Sequence, residues 1–219
     1  MEQFFNPEFC AFNVEAMPLD ESIVDAFVPL ARKPDFPGFT SVSPKWGSDV
    51  RWVSAANPET FALFESAFDR LKIAERIATR IKTDREIRMF CGSLVIRSQC
   101  DSPNFHCDWR KLDNQAFTLL TPVTDNAEGF GLLYRDAQGK VRDYEYKRGE
   151  GIVFGDWFSH STKPGRSEQP VALLCFEFGS DLMDDWPQVL AEMQTRARLL
   201  RRSDGEFVRT DPDAHSPSY

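Results

Sequence analysis

The feature that most constrains the fold is a succession of short apolar segments between residues 86 and 178, separated by residues typical of turns. The segments are rich in Ile, Leu, Val and Phe, and Gly, Asp and Asn stand between them, which is typical of strands joined by tight connections. Because few helical patterns interrupt them, these segments predict a double-sheet jelly roll or a similar barrel. We expect strands at residues 86–99, 115–123, 129–134, 141–147, 152–154 and 170–178.

Helical patterns flank this β-rich stretch. Asn57, Pro58 and Glu59 combine a capping residue, a proline at the first helical position and an acid near the positive end of the helix dipole. Apolar residues then follow at spacings of three and four to about residue 82, which predicts a long helix packed on a sheet. A short helix is predicted from Pro18, and residues 181–202 predict another, whose arginines we interpret as a solvated face.

The 219 residues fit one domain with a single core. We expect a mainly β protein with flanking α-helices, in which residues 1–84 form supporting loops and a helix and residues 85–180 form the β core. The first 55 residues are rich in proline and predict irregular chain apart from the short helix. Residues 181–202 supply the C-terminal helix, and the Asp, Pro and Ser of residues 203–219 predict a loose tail.

Composition excludes several classes of function. A net charge of −8 argues against nucleic acid as an obligate partner, because phosphate binding depends on clustered positive charge. The five cysteines are odd in number and lack paired short spacings, so they predict reduced thiols of a cytoplasmic protein and neither a disulfide framework nor a zinc site. The N-terminus lacks the pattern of a secretion signal, and no apolar run approaches the roughly 20 residues of a membrane span, so we expect no membrane association.

Residues suited to metal chemistry stand at His106, Asp108 and His160. Alternate residues of an extended segment point to the same side, so His106 and Asp108 can face one ion while Cys107 faces away. Two imidazoles and one carboxylate with open coordination positions suit non-haem Fe(II) and oxygen chemistry. The alternative interpretation makes the histidines surface or capping residues and Asp108 a turn residue.

From about residue 85 to residue 180 the chain resembles the core of Fe(II)/2-oxoglutarate-dependent oxygenases. The matching features stand in that family's order, and they are a strand ending near Arg97, the His106-Cys107-Asp108 loop, the run 116–125, a Gly-containing turn over 128–134, and the turn and strand 148–154 before His160. The resemblance implies a double-stranded β-helix of the jelly-roll or cupin-like type. It also implies His106, Asp108 and His160 as catalytic metal ligands, Fe(II) and 2-oxoglutarate as cofactors, and O2 as co-substrate.

Members of this family bind the distal carboxylate of 2-oxoglutarate with a cation, most often an arginine. Arg166 is the first candidate, although it lies only six positions after His160 and the family's arginine generally lies nine to eleven positions after it. The expected positions, around Val171, are apolar. Arg97 is the rival candidate, and we expect Thr118 to add a hydroxyl contact. Arg88 is a weaker third possibility.

The resemblance further implies oxidation of a substrate C–H bond, coupled to conversion of 2-oxoglutarate to succinate and carbon dioxide. The Asp108 carboxylate favours hydroxylation or another hydrogen-abstraction outcome, since relatives that transfer halide have a small residue in its place. We expect a small-molecule substrate such as an amino acid or a related metabolite. A cupin-like metalloenzyme without 2-oxoglutarate, a protein hydroxylase and a non-catalytic binding or sensor protein are the alternatives, and the oligomeric state is left open.

Overall fold

The computed structural model of the chain describes residues 10–33, 35–43, 49–81, 86–180 and 186–211. Parts of several sequence predictions lie outside these residues. In the proline-rich N-terminal region these are positions 1–9 and 44–48. The others are the predicted end of the long helix at residue 82, the predicted start of the core at residue 85, residues 181–185 of the predicted C-terminal helix, and the tail beyond residue 211.

Within the described residues the chain forms twelve strands and five α-helices. The strands are β1 (Glu15–Pro18), β2 (Phe39–Val42), β3 (Arg51–Ala55), β4 (Ile87–Cys100), β5 (Ala116–Pro122), β6 (Leu132–Arg135), β7 (Val141–Tyr144), β8 (Glu150–Phe154), β9 (His160–Thr162), β10 (Gly165–Ser180), β11 (Leu199–Arg201) and β12 (Phe207–Arg209). The helices are α1 (Glu21–Val24), α2 (Val28–Arg32), α3 (Pro58–Arg70), α4 (Ile73–Ala78) and α5 (Trp186–Met193). The strands predicted between residues 86 and 178 are confirmed, and β9 is an additional strand that the sequence did not predict.

Two antiparallel sheets build the core. The larger has the strand order β1-β8-β5-β10-β4-β3-β2, and the smaller has the order β7-β6-β9. Leu120 and Cys175 of the larger sheet and Leu132 of the smaller sheet share one buried cluster, which fills the space between the sheets. This arrangement confirms a mainly β protein with a double-stranded β-helix core.

Strands β4 and β10 separate this interior from a second apolar layer. Leu94 and Ile96 of β4 pack with the helices, whereas Val95 between them faces the interior, as expected for alternating side chains. Gly92 lies under α3, where an added Cβ would stand 2.4 Å from the Cβ of Phe64. The glycine therefore lets the helix approach the sheet closely.

The long helix predicted from Asn57 is two helices in the structure. Asn57 caps α3, its side chain accepting a hydrogen bond from the Thr60 N–H at 2.9 Å. The helix ends at Arg70, and Lys72 adopts a left-handed conformation with φ of 55° before α4 begins. The single-helix prediction was therefore wrong, because apolar residues at helical spacing continue through a break that the spacing does not reveal.

Three segments in the region expected to be irregular form strands. β1 pairs with β8, and β2 and β3 extend the larger sheet beyond β4. Each has only four or five residues, so its conformation depends on pairing with a neighbour more than on its own pattern. Strands this short leave little periodicity in the sequence.

The C-terminal helix is shorter than predicted. α5 ends at Met193, and the chain then turns into the hairpin of β11 and β12, in which Leu199 pairs with Arg209. Gly205, with φ of 87°, makes the turn between these strands. The prediction of one helix to residue 202 was therefore wrong. Among the described residues, no helix is long and apolar enough to cross a membrane.

Candidate metal centre

His106 and His160 are brought together by the smaller sheet. His106 follows β4 and forms an isolated antiparallel bridge with His160, the first residue of β9. Each main-chain N–H donates to the carbonyl oxygen of the other residue at 2.9 Å. Residues paired in this way carry their side chains on one face of the sheet, and the two imidazole centroids lie 4.4 Å apart.

Asp108 completes the cluster that the sequence predicted. The Nε2 atom of His106 lies 3.7 Å from Asp108 Oδ1, and Nε2 of His160 lies 3.9 Å from Asp108 Oδ2. One ligand atom from each residue lies within 4.8 Å of the others. Asp108 and His160 are buried, and His106 is partly exposed, so the cluster opens to solvent on the His106 side.

Both imidazoles are oriented by main-chain carbonyl groups two residues earlier in the chain. Nδ1 of His106 lies 2.9 Å from the Asn104 carbonyl oxygen, and Nδ1 of His160 lies 3.2 Å from that of Phe158. A carbonyl oxygen can only accept a hydrogen bond, so Nδ1 carries the proton in each ring. In the neutral form of such a ring, Nε2 is the nitrogen that carries the lone pair and can bind a metal.

The ionisation states also suit metal binding. Burial, followed by repulsion from His106, lowers the pKa of His160 to about 4, which keeps this imidazole neutral at neutral pH. Burial alone would raise the pKa of Asp108, but the Arg196 guanidinium and then the two histidines outweigh it and hold that pKa well below its usual range. A neutral His160 imidazole and an ionised hard oxygen ligand fit Fe(II) in a two-histidine, one-carboxylate site.

The Asp108 carboxylate is held on both sides. The Thr118 hydroxyl donates to Oδ2 at 2.9 Å and accepts from the Trp109 indole N–H at 3.0 Å. The Arg196 guanidinium donates to Oδ1 at 2.9 Å and to the Asp108 carbonyl oxygen at 3.1 Å. Thr118, predicted to contact a cofactor, thus lies beside a metal ligand.

Arg196 is a site residue that the sequence analysis missed. We interpreted it as part of a solvated face, but its side chain is only 14% exposed. The sequence did contain one indication that Arg196 is buried. It follows Val189 by seven positions and Met193 by three, so at helical spacing it falls on the apolar side of α5. Burying an unpaired charge is energetically costly, so a charged residue on the apolar side of a helix is expected to have a buried partner of opposite charge. Glu177 is a second such partner, 3.3 Å from Arg196, and burial raises its pKa to about 7 against the opposing charge of that arginine.

The candidate arginines for 2-oxoglutarate occupy different environments. Arg166 is on β10, with a side chain that is 73% exposed and pairs with Asp101 at 3.1 Å. Arg97 is half-buried on β4, directly opposite Val171 of β10. Its Nε atom is buried and has no hydrogen-bond partner among the described residues.

A cleft of about 610 Å³ lies between the N-terminal segment and the β6–β7 hairpin. Tyr134 lines this cleft, pairs with His160 across the sheet and stacks its ring on Phe158, whereas none of the three triad residues lines the cleft. The rest of the lining mixes polar and apolar side chains: Cys10, Phe12, Asn13, Val14, Glu15, Asp136, Ala137, Gln138 and Arg142.

No protein-family model matches the sequence, and no curated protein matches it. Similar solved structures include a prolyl-4-hydroxylase of Pseudomonas putida, 16% identical, with a TM-score of 0.55 over 79% of this chain and 95% of that chain. The α-ketoglutarate-dependent epimerase SnoN from nogalamycin biosynthesis is 14% identical, with a TM-score of 0.61 over 80% of each chain. HygX of Streptomyces hygroscopicus, with nickel and 2-oxoglutarate bound, is 14% identical, with a TM-score of 0.57 over 78% of this chain and 84% of that chain.

At these identities the likeness shows the fold, and the triad is seen directly in the structure. The resemblance stated from the sequence is confirmed at that level. This chain therefore has the double-stranded β-helix fold of the Fe(II)/2-oxoglutarate oxygenases, with a His-Asp-His cluster built from His106, Asp108 and His160.

Proposed function

We propose that this protein is an Fe(II)- and 2-oxoglutarate-dependent oxygenase that hydroxylates or otherwise oxidises a C–H bond of a small molecule. The observation that carries the proposal is the cluster of His106, Asp108 and His160, whose ligand atoms lie within 4.8 Å of one another. Two imidazoles and one ionised carboxylate form the donor set of such enzymes. Bound iron, with 2-oxoglutarate and O2, supplies the oxidising chemistry, and the protein orients the ligands and the substrate.

Arg97 is better placed than Arg166 to hold the distal carboxylate of 2-oxoglutarate. Val171 lies eleven positions after His160, where the family's arginine is expected, and Arg97 is its direct partner on the adjacent strand. Val171 faces the interior cluster, and directly paired residues share a face, so the Arg97 side chain is on the interior side as well. The exposed Arg166 is already paired with Asp101.

Tyr146 supports an anion site on this interior face. The residue is buried, and burial raises its pKa far above its usual range, so its phenol stays protonated and can donate a hydrogen bond. It lies in the same buried cluster as Val171, the direct partner of Arg97 on the adjacent strand. A dicarboxylate reaching from the metal ligands toward Arg97 would therefore meet a neutral donor and a cation.

A small-molecule substrate is supported by the cleft beside Tyr134. Its volume of about 610 Å³ is within the range of ligand pockets, roughly 300–1,000 Å³. Asn13, Gln138 and the Asp136–Arg142 pair offer polar contacts beside the rings of Phe12 and Tyr134. This lining suits a polar compound of the size of an amino acid derivative or a larger metabolite.

Anaerobic titration with Fe(II) and then 2-oxoglutarate tests the proposal through the visible charge-transfer band of 2-oxoglutarate on ferrous iron. We expect the band in the wild-type protein and its loss in His160→Ala and Asp108→Ala. Arg97→Gln should raise the 2-oxoglutarate concentration needed for the band, whereas Arg166→Gln, a matched loss of charge, should leave it unchanged.

Other outcomes of the titration would redirect the assignment. Metal binding without a band would favour a cupin-like metalloenzyme that does not use 2-oxoglutarate. Failure to bind metal would refute the metal centre. If Arg166→Gln raised the 2-oxoglutarate concentration needed for the band and Arg97→Gln did not, the distal carboxylate would be assigned to Arg166.

A further inference from the structure

We propose that Arg196 is a positioning residue of the metal centre, which holds the Asp108 carboxylate in place and joins residues 186–201 to the metal site. The inference rests on the proposed function to the extent that the triad must bind a divalent metal. It concerns a residue that lies 88 positions from Asp108 in the sequence and outside the two-sheet core.

The contacts of Arg196 fix both the side chain and the main chain of Asp108. Nη1 donates to Oδ1 at 2.9 Å, and Nη2 donates to the Asp108 carbonyl oxygen at 3.1 Å. A planar guanidinium that donates two bonds to one residue restricts its orientation more than a single donor would. With Thr118 on Oδ2, both carboxylate oxygens are held by donors.

The position of Arg196 is itself well determined. Its Nε donates to the Glu192 carbonyl oxygen at 3.4 Å, and its guanidinium lies 5.7 Å from the centre of the Trp109 ring. Glu177 Oε1 lies 3.3 Å from Nη1 on the other side. A metal ion would share Asp108 with this cation, so the nearby Glu177 carboxyl supplies a second group to which the guanidinium can bind.

The segment that carries Arg196 is docked by apolar packing. Trp186, Val189, Met193 and Leu200 share a buried cluster with Trp109, the residue that follows Asp108. Movement of this segment would therefore displace Arg196 and loosen Asp108. Because coupling between two equilibria is reciprocal, metal binding to an ordered Asp108 should also stabilise the docked segment.

Co(II) titration, followed by visible absorbance, tests the role of Arg196 in metal affinity. Substitution of groups that orient metal ligands typically costs 10–100-fold in affinity, so Arg196→Gln should bind Co(II) at least about tenfold more weakly. Arg196→Lys keeps the charge but not the planar pair of donors and should fall between Arg196→Gln and the wild type. Arg201→Gln is the matched control, because Arg201 belongs to the same segment and pairs with Glu65 away from the triad.

Hydrogen exchange of residues 186–201, with and without Co(II), tests the coupling. Metal should slow exchange in the wild type and in Arg201→Gln but not in Arg196→Gln. Equal or tighter Co(II) binding by Arg196→Gln would overturn the proposal, because the arginine would then only compete with the metal. Wild-type affinity in Arg196→Lys would overturn it as well, and this variant decides the matter if Arg196→Gln does not fold. A wild-type protein that binds no Co(II) would instead refute the proposed function.

Discussion

Replacing Thr118 with valine would test how the buried support of Asp108 contributes to stability. Valine is also β-branched and has nearly the same shape, so β5 and its packing should persist. The substitution removes the donor to Asp108 Oδ2 at 2.9 Å and the acceptor for the Trp109 indole N–H at 3.0 Å. Both losses occur in a buried environment, since Trp109 is 0% exposed.

The expected magnitude follows from these two contacts. A hydrogen bond to a charged group contributes about 1.5–3 kcal/mol, and a buried donor left without a partner costs about 1–3 kcal/mol. The effects share one site and are not fully additive, so we expect the free energy of unfolding to fall by about 3 kcal/mol. For a chain of this size the melting temperature should fall by roughly 6–12 °C.

Urea denaturation of metal-free protein measures this change, and Thr121→Val provides the matched control. Thr121 is also fully buried on β5, but its hydroxyl donates to the uncharged carbonyl of Glu150 at 3.0 Å, a bond that contributes about 1 kcal/mol. Thr118→Ser, which retains a hydroxyl, should recover most of the loss. Equal destabilisation by the two valine substitutions would show that the charge on Asp108 adds nothing, and the reasoning would fail.

The remaining predictions concern pH and packing. In the metal-free protein, the stability contributed by neutral His160 is complete above its unfolded pKa of about 6.5 and is lost as pH falls toward its folded pKa of about 4, a change of roughly 3 kcal/mol. Glu177 acts oppositely, because the stability contributed by its protonated form is complete below about pH 4.5 and is lost as pH rises toward about 7. Relative to the wild type, urea denaturation across pH 4.5–6.5 should therefore show stability rising less steeply with pH in His160→Gln and more steeply with pH in Glu177→Gln. Changes of slope in the opposite sense would contradict this. Gly92→Ala should lower the melting temperature by overpacking against Phe64, at a cost of roughly 1–3 kcal/mol, and an unchanged melting temperature would show that α3 can move away.

The core strands and the placing of His106 beside Asp108 were predictable because both depend on local patterns, whereas His160 was added through the resemblance to a family. Strand segments carry their own apolar composition, and the two-residue spacing of His106 and Asp108 places them on one side of an extended chain. The four-residue edge strand β1 and the break at Lys72 depend on pairing and on backbone conformation that composition does not encode. Arg196 was missed because its partners lie far away in sequence.

The three residues of the triad differ in how they are oriented, and this difference determines what the sequence can reveal. His106 and His160 each bond the carbonyl group two residues before them, so a short local segment fixes each ring. Within the described part of the chain, the Asp108 carboxylate is held instead by Thr118 of β5 and by Arg196, which follows α5. The orientation of the histidines should therefore survive rearrangement of distant parts of the chain, whereas that of the carboxylate should not. Changes in residues 186–201 are accordingly expected to act on the metal centre through Asp108 and to leave the two histidines in place.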